Sequence, residues 1–324
     1  TFVLFSYGFF TIAAQSLLFR EFITNFEGNE IAVGIFFGSW FLWVGAAATL
    51  VSKSRVLADR LAANVEILFL CYLPAFILQF IMIVRARELA GLEAYAMWSF
   101  RDILLTSLLV NAPVSSVTGM FFPPACRWAQ ANGAVSKVYI IEAAGSFVGG
   151  IAVTLLLWHG TDAIAIFLIL AAVLSASVCA VRLASLAAPK TPQTVKEHFS
   201  RRLGLAAPAM STTACLLSFL LPVVFVLLLM ANVNDTLAEY LQAAKWKKLL
   251  SEGAPAGAFR TARAEYLYGH YRGQWLILRE GSACETFPEK AANGRIAAIS
   301  LCQNPTADSV LVVGSGIGLC RSFL

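Results

Sequence analysis

The sequence is poor in charged residues. Only 13% of its 324 residues are Asp, Glu, Lys or Arg, whereas 59% are hydrophobic and the mean hydropathy is +0.73. A soluble domain carries nearly twice that charged fraction, so the composition excludes an ordinary soluble protein. The net charge of +5 is spread along the chain without a basic stripe among aromatics, which excludes a nucleic-acid partner. We therefore expect a polytopic α-helical membrane protein whose partner is the lipid bilayer.

Histidine and paired cysteine are also scarce. The three histidines are His159, His198 and His270, and none lies inside an apolar run. Paired histidines inside a bundle commonly ligate b-type haem, so an electron carrier of that kind is excluded. The seven cysteines form no CxxC or CxxCH pattern, which leaves zinc ribbons, iron–sulfur clusters and c-type haem without support. We expect no metal and no tightly bound cofactor.

Long apolar runs predict seven membrane-spanning helices, because each is close to the roughly 20 residues that cross a bilayer. The runs are 2–19, 31–51, 65–84, 103–122, 138–158, 162–183 and 213–231. They divide the chain into a six-helix membrane domain at 1–183, a polar linker at 184–212, the seventh helix at 213–231, an amphipathic connector at 232–258 and a C-terminal part at 259–324.

Two segments carry signals beyond hydrophobicity. Pro123 and Pro124 lack backbone donors and predict the end of the fourth helix, or else a kink that lines a cavity. In the connector, helical spacing puts four apolar side chains on one face and leaves three lysines for a membrane surface. The apolar residues are Leu237, Tyr240, Leu241 and Ala244, and the lysines are Lys245, Lys247 and Lys248.

The run from Lys137 to Trp158 is predicted to lie in the middle of the bundle. Its Gly145 and Gly149 form a small-xxx-small face that lets another helix backbone approach. Glu142 lies in the same run and must face protein or a water-filled cavity, since lipid does not solvate a carboxylate.

Two interpretations of the acidic residues stay open. In one, Glu142 is protonated or paired with a donor such as Gln15, and Glu21 and Glu30 belong to a solvated turn in which Glu30 favours a helix start. In the other, Glu142, Glu21 and Glu30 are ligands for a cationic solute in a transporter.

The C-terminal part has a different pattern. Residues 274–279 predict a strand followed by a Glu280-Gly281 turn, and 295–301 predict a short helix. A buried strand is predicted at 309–313, and it runs directly into Gly314, Gly316 and Gly318. A strand followed by a glycine-rich turn is typical of the opening of a nucleotide-binding α/β unit.

Taken together, these stretches resemble a family of bacterial membrane proteins in which a multi-helix domain precedes a spermidine synthase-like domain. The resemblance is carried by the segments 19–22 with 28–30, 119–127, 139–145 with 149–150, and 266–281 leading to 310–318. It implies a multi-pass helical bundle in the bacterial cytoplasmic membrane, followed by the start of a Rossmann-like aminopropyltransferase domain. The resemblance also implies that Gly314, Gly316 and Gly318 bind decarboxylated S-adenosylmethionine, whose aminopropyl group passes to a diamine. The catalytic acid is expected beyond Leu324.

Departures from the family pattern favour a second function. Ile317 stands where an aspartate is usual, and 291–300 lacks the family's acidic and histidine residues. The alternative is a non-catalytic membrane subunit that anchors or docks to other subunits of a larger complex. Most Lys and Arg follow the second, fourth and sixth predicted helices, which puts the C-terminal part outside the cytoplasm, whereas Lys245, Lys247 and Lys248 oppose this. The sequence alone leaves the sidedness open.

Overall fold

The computed structural model describes a helical bundle joined to a small antiparallel sheet. The described residues are 2–26, 30–63, 65–93, 96–132, 136–187, 212–250, 252–261, 264–288, 290–312 and 317–323. The bundle comprises α1 (Phe2–Asn25), α2 (Glu30–Lys53), α3 (Arg55–Ala63), α4 (Val65–Leu70), α5 (Tyr72–Val84), α6 (Ala86–Leu89), α7 (Phe100–Val110), α8 (Ala112–Asn132), α9 (Ser136–Trp158), α10 (Ala163–Ala187) and α11 (Thr212–Met230). After it come α12 (Val233–Leu249), β1 (Gly257–Arg260), β2 (Glu265–Tyr271), β3 (Gln274–Arg279), β4 (Ser282–Phe287), α13 (Lys290–Gln303) and α14 (Ile317–Phe323).

The glycine face predicted on α9 is confirmed as a close helix contact. A Cβ added at Gly145 would overlap the backbone carbonyl of Phe5, and one at Gly149 would overlap that of Phe9. On the facing helix α1, Gly8 lies equally close to the Glu142 backbone. Such approach is open only to residues without a side chain, so these glycines fix how α1 and α9 pack.

The helix at the centre of the bundle is α1 rather than α9. Buried side chains occur along the whole of α1, namely Leu4, Tyr7, Phe10, Ala13, Ala14, Leu17, Leu18 and Phe22. By contrast, α9 exposes Ile140, Phe147, Ile151 and Leu155. The expectation that the glycine-faced helix occupies the middle is therefore wrong, because its glycines contact one neighbour while its other faces stay exposed.

Length and apolarity single out three to five candidate spans among the described residues. Three helices qualify alone: α2, α9 and the stretch Ala163–Ala180 of α10. Two more qualify if each bent pair is one span: α7 with Ala112–Cys126, bent by 50°, and Phe219–Met230 with α12, bent by 69°. The first predicted run corresponds to α1, and the third is divided into α4 and α5, whose shorter apolar stretch is Leu68–Val84.

The prediction that Pro123 and Pro124 end a helix is wrong. Both prolines lie inside α8, which continues to Asn132. The bend lies earlier, at Asn111 between α7 and α8, and Pro113 occupies the first turn of α8, where a missing N–H costs nothing.

A buried polar network holds the two helix ends at this bend. The Gln79 amide oxygen accepts from the Val114 backbone at 2.9 Å, and its nitrogen donates to Asn111 at 3.1 Å. Asn111 in turn donates to Ser39 on α2 at 2.7 Å. The side chains of Gln79 and Asn111 are fully buried. Their amide groups need these hydrogen bonds, because apolar surroundings offer no other polar partners.

The C-terminal sheet is built from successive hairpins in the order β1-β2-β3-β4. The β2–β3 turn at Arg272-Gly273 and the β3–β4 turn at Glu280-Gly281 both have positive φ at both residues, as tight two-residue hairpins require. One face of the sheet packs Leu267, Leu276 and Leu278 against Trp246 of α12. The predicted strand at 274–279 and the predicted turn are confirmed, and α13 contains the predicted helix.

The second predicted strand is wrong over its described part. Residues 309–312 have no strand structure, and the Leu311 side chain is 87% exposed. None of the four described strands pairs with it. They form an antiparallel sheet and no parallel βαβ unit, so the Rossmann-like fold stays a prediction.

Candidate functional site

The end of α1, the end of α12 and the first two strands meet around four buried or half-buried charges. Lys245 Nζ on α12 lies 2.9 Å from a carboxylate oxygen of Glu21 on α1 and 2.8 Å from one of Glu265 on β2. The other Glu265 oxygen accepts from both Nε and Nη2 of Arg260 at 2.9 and 2.7 Å. We call Glu21, Lys245, Arg260 and Glu265 the interface cluster.

Local sequence patterns place these charges inward. Glu21 follows the buried Leu17 and Leu18 at helical spacing, so it shares their face of α1. Glu265 precedes Leu267 by two residues on β2, and alternation puts both on the sheet face that packs on α12. Two acids and two bases leave the cluster neutral, which is how charges are tolerated away from water.

The ionic partners of Glu265 outweigh its burial. Burial alone would raise the pKa of this carboxyl, but Lys245 and Arg260 stabilise its charged form and hold the pKa at about 2. The carboxylate is therefore ionised over the whole physiological range. It acts as a fixed negative charge rather than as a proton acceptor.

The Glu280-Gly281 turn strengthens the same interface. Thr24 on α1 donates to one Glu280 oxygen, and the other accepts from the Glu265 backbone at 2.8 Å. A Cβ at Gly281 would overlap the Thr24 carbonyl, so the turn needs glycine for both its positive φ and its contact with α1. Arg20 adds a hydrogen bond to the Thr261 carbonyl at 3.3 Å.

A small cavity of about 20 Å³ lies beside the interface cluster. It is bordered by Thr24, Asn25, Arg87, Lys245, Lys248, Leu249, Glu265, Leu267, Leu278 and Gly281. Lys248 also ties this corner to the bundle by donating to the Val84 carbonyl. A space of this volume admits one water molecule and excludes a diamine or a nucleoside.

The structure corrects the place predicted for two of the three connector lysines. Lys245 is buried beside Trp246 and Lys248 is half-buried, so neither lies at a membrane surface, whereas Lys247 is exposed. The physical reason is the pair of carboxylates on α1 and β2, which draw the lysine face inward.

Of the predicted site residues, Glu21 alone enters the interface cluster. Glu30 is exposed at the start of α2, and Gln15 is half-buried in α1. Glu142 is half-buried in α9 and accepts a hydrogen bond at 3.3 Å from Ser146 rather than from Gln15. Gly318 is the second residue of α14, while Gly314 and Gly316 lie outside the described residues.

The three acids considered as ligands for a cationic solute do not share one site. Glu142 packs against Gly8, which is about 20 Å from Glu21 along α1 at 1.5 Å per residue. Near Glu142 the polar groups are hydroxyls: Tyr7 donates to the Thr118 carbonyl at 2.9 Å, and Tyr72 donates to the Thr118 hydroxyl at 3.0 Å. These contacts stabilise the bundle interior without forming a second charged cluster.

Sequence reasoning missed Arg260 and Glu265 and assigned Lys245 to a membrane surface. The signal that was available is the alternation of Glu265 with Leu267, which puts an acid on the buried face of a strand. Such an acid requires a cation from a neighbouring element. Arg260 on β1 and the lysines of α12 are the candidates that precede Glu265 in the sequence.

The comparisons give no identification. Searches against family models, curated proteins and solved structures found nothing that matches this chain. Within the described ranges, no group of three or more His, Cys, Asp and Glu side chains is placed to hold a metal ion. The interface cluster and the helices that are apolar enough to span a membrane are therefore the features that bear on function.

Proposed function

We propose that this chain is an integral membrane protein of the bacterial cytoplasmic membrane that anchors a spermidine synthase-like domain, and that its described part is non-catalytic. The observation that supports this most directly is the interface cluster. Lys245 and Arg260 already neutralise Glu21 and Glu265, so these acids are engaged in joining sheet to bundle. The cavity beside them is too small for a diamine.

Anchoring is a natural use of this arrangement. The bundle supplies exposed apolar surface that suits lipid, such as that on α9. At one end, ion pairs and the Thr24–Glu280 hydrogen bond attach the sheet to α1, the central helix. A subunit of this kind holds a domain at a fixed place on the membrane, where other subunits of a complex can dock.

Aminopropyl transfer is the second candidate, and it rests on the resemblance. The β2–β3 hairpin followed by the Glu280-Gly281 turn has the order expected ahead of the glycine-rich segment. In this proposal decarboxylated S-adenosylmethionine binds at Gly314, Gly316 and Gly318, and the diamine binds away from the neutralised acids.

A cleavage experiment tests the anchoring function. A protease site inserted after Pro255 separates α12 from β1, so only non-covalent contacts hold the sheet after cleavage. We expect the sheet fragment to stay with washed membranes in the otherwise unchanged protein and to be released in Glu265→Ala. Gln274→Ala, at an exposed position of β3, is the matched control and should retain the fragment.

Release of the fragment from the unchanged protein would contradict the anchoring proposal. The enzymatic candidate is tested separately, by incubating the intact purified protein with putrescine and decarboxylated S-adenosylmethionine. Spermidine formation, detected by mass spectrometry, would replace the non-catalytic interpretation with the enzymatic one.

A further inference from the structure

Helix contacts define two ends of the bundle. α1 and α9 run parallel, since Gly145 packs on Phe5 and Gly149, one turn further along α9, packs on Phe9, one turn further along α1. α2 begins where α1 ends and therefore runs the opposite way. Because the end of α1 contacts the sheet, the last residue of α2 and the first residue of α9 lie at the end of the bundle away from the sheet.

Exposed basic side chains gather at the end away from the sheet. Lys53 is the last residue of α2, Arg55 and Arg60 lie on α3, and Lys137 is the second residue of α9. All four are exposed. In the last turn of α2, in α3 and in the first turn of α9 they outnumber the acid Asp59, which leaves an excess of positive charge on these segments. We call Lys53, Arg55, Arg60 and Lys137 the basic end.

At the sheet end, the cations are largely matched by carboxylates. Lys245 and Arg260 belong to the neutral interface cluster, and Lys248 lies 3.8 Å from Glu88. Arg85 is also near Glu88, at 3.9 Å. Lys245 and Lys248 therefore form ion pairs within the protein. They are not free to act as cytoplasmic positive charges, so they do not oppose the orientation indicated by the Lys and Arg residues after the second, fourth and sixth predicted helices.

We propose that the basic end binds anionic phospholipid head groups of the cytoplasmic leaflet, so that the sheet projects from the opposite side of the membrane. Clustered Lys and Arg next to membrane helices are attracted to the negative surface of that leaflet and keep such segments in the cytoplasm. This inference rests on the proposed membrane function and adds to it a lipid class and an orientation. A cytoplasmic nucleoside would then not reach the sheet.

Labelling with a membrane-impermeant maleimide tests the orientation. In a protein whose other cysteines are replaced by serine, Cys284 reports on the sheet, and Ser136→Cys in a cysteine-free background reports on the basic end; both positions are exposed. In intact bacterial cells we expect Cys284 to be labelled and Ser136→Cys to react only after permeabilisation. The reverse pattern would overturn the proposal.

Lipid retention tests the binding surface. Protein purified from micelles with equal phosphatidylglycerol and phosphatidylcholine should retain the former preferentially, as measured by mass spectrometry. Removing two charges with Lys53→Gln and Lys137→Gln should lower that preference roughly thirtyfold, since each basic side chain near an anionic surface contributes about 1 kcal/mol. The control pair Lys247→Gln and Arg101→Gln, exposed at the other end, should leave it unchanged.

The outcomes separate this inference from the proposed membrane function. An equal loss of preference in both pairs, or none in either, would overturn the lipid site. Extraction of the protein into the soluble fraction by alkaline carbonate would instead remove the membrane function itself. Substituting two exposed lysines by glutamine disturbs no described contact, so the test does not depend on a variant that fails to fold.

Discussion

Single buried charges determine how the sheet is held on the bundle. Lys245 contacts two carboxylates from two different elements, so its ammonium group is shared between the helix α1 and the strand β2. A buried ion pair adds little net stability compared with a well-packed apolar pair, but removing one partner leaves an uncompensated charge. The interface cluster therefore matters mainly because the removal of one member leaves another buried charge without a partner, which destabilises the folded protein.

At this scale, Lys245→Ala should destabilise the protein by about 3–5 kcal/mol, because Glu21 and Glu265 lose their shared cation. Thermal unfolding of the detergent-solubilised protein measures this. Lys247→Ala, two residues along α12 and exposed, is the control and should change stability by less than about 0.5 kcal/mol. Equal losses of stability in the two variants would show that Lys245 contributes no more to folding than an exposed lysine does.

A second residue-scale prediction concerns the glycine face of α9. Gly145→Ala should destabilise the α1–α9 contact by about 1–3 kcal/mol, because its Cβ overlaps the Phe5 carbonyl. Gly150→Ala, where nothing lies within 4 Å, should be neutral or slightly stabilising, since alanine favours helix over glycine. The measurement is the melting temperature of each variant in the same detergent. A larger drop in melting temperature for Gly150→Ala than for Gly145→Ala would contradict the close packing of α9 on α1.

Among the elements, the bend between α7 and α8 depends on a side chain from another helix. Gln79 on α5 satisfies both the Val114 backbone and the Asn111 side chain. Gln79→Met keeps the length of the side chain but leaves those groups buried without partners, so we expect a loss of about 1–3 kcal/mol for each. Leu78→Met, an exposed neighbour on α5, serves as the control. A chemical denaturation midpoint unchanged by Gln79→Met would show that the bend needs no such support.

Elements were predictable where local pattern decides them and not where distant contacts do. The helices at 31–51 and 138–158, the strand at 274–279 and the glutamate-glycine turn follow from hydrophobic period and turn chemistry. The break at Asn111 depends on Gln79 and Ser39, which are far away in sequence. The inward turn of Lys245 likewise depends on Glu21 and Glu265, which are distant from it in the chain.

For the whole molecule, the interface cluster makes the attachment of the sheet sensitive to acid. Lys245 and Arg260 hold the pKa of Glu265 at about 2 in the folded protein, below its ordinary 4.5, so its charge contributes stability that is present above pH 4.5 and lost as pH falls toward 2. Limited proteolysis of the sheet across this window measures the loss. Glu265→Gln should already be protease-sensitive at neutral pH and respond less to acid. An identical pH response in both proteins would contradict this assignment.

The position of α1 has a mechanical consequence. α1 runs through the middle of the bundle and ends among the salt bridges of the sheet. A push or twist applied to the sheet therefore passes along α1 to the glycine contacts with α9. A displacement of the sheet would in this way be felt at the opposite end of the bundle.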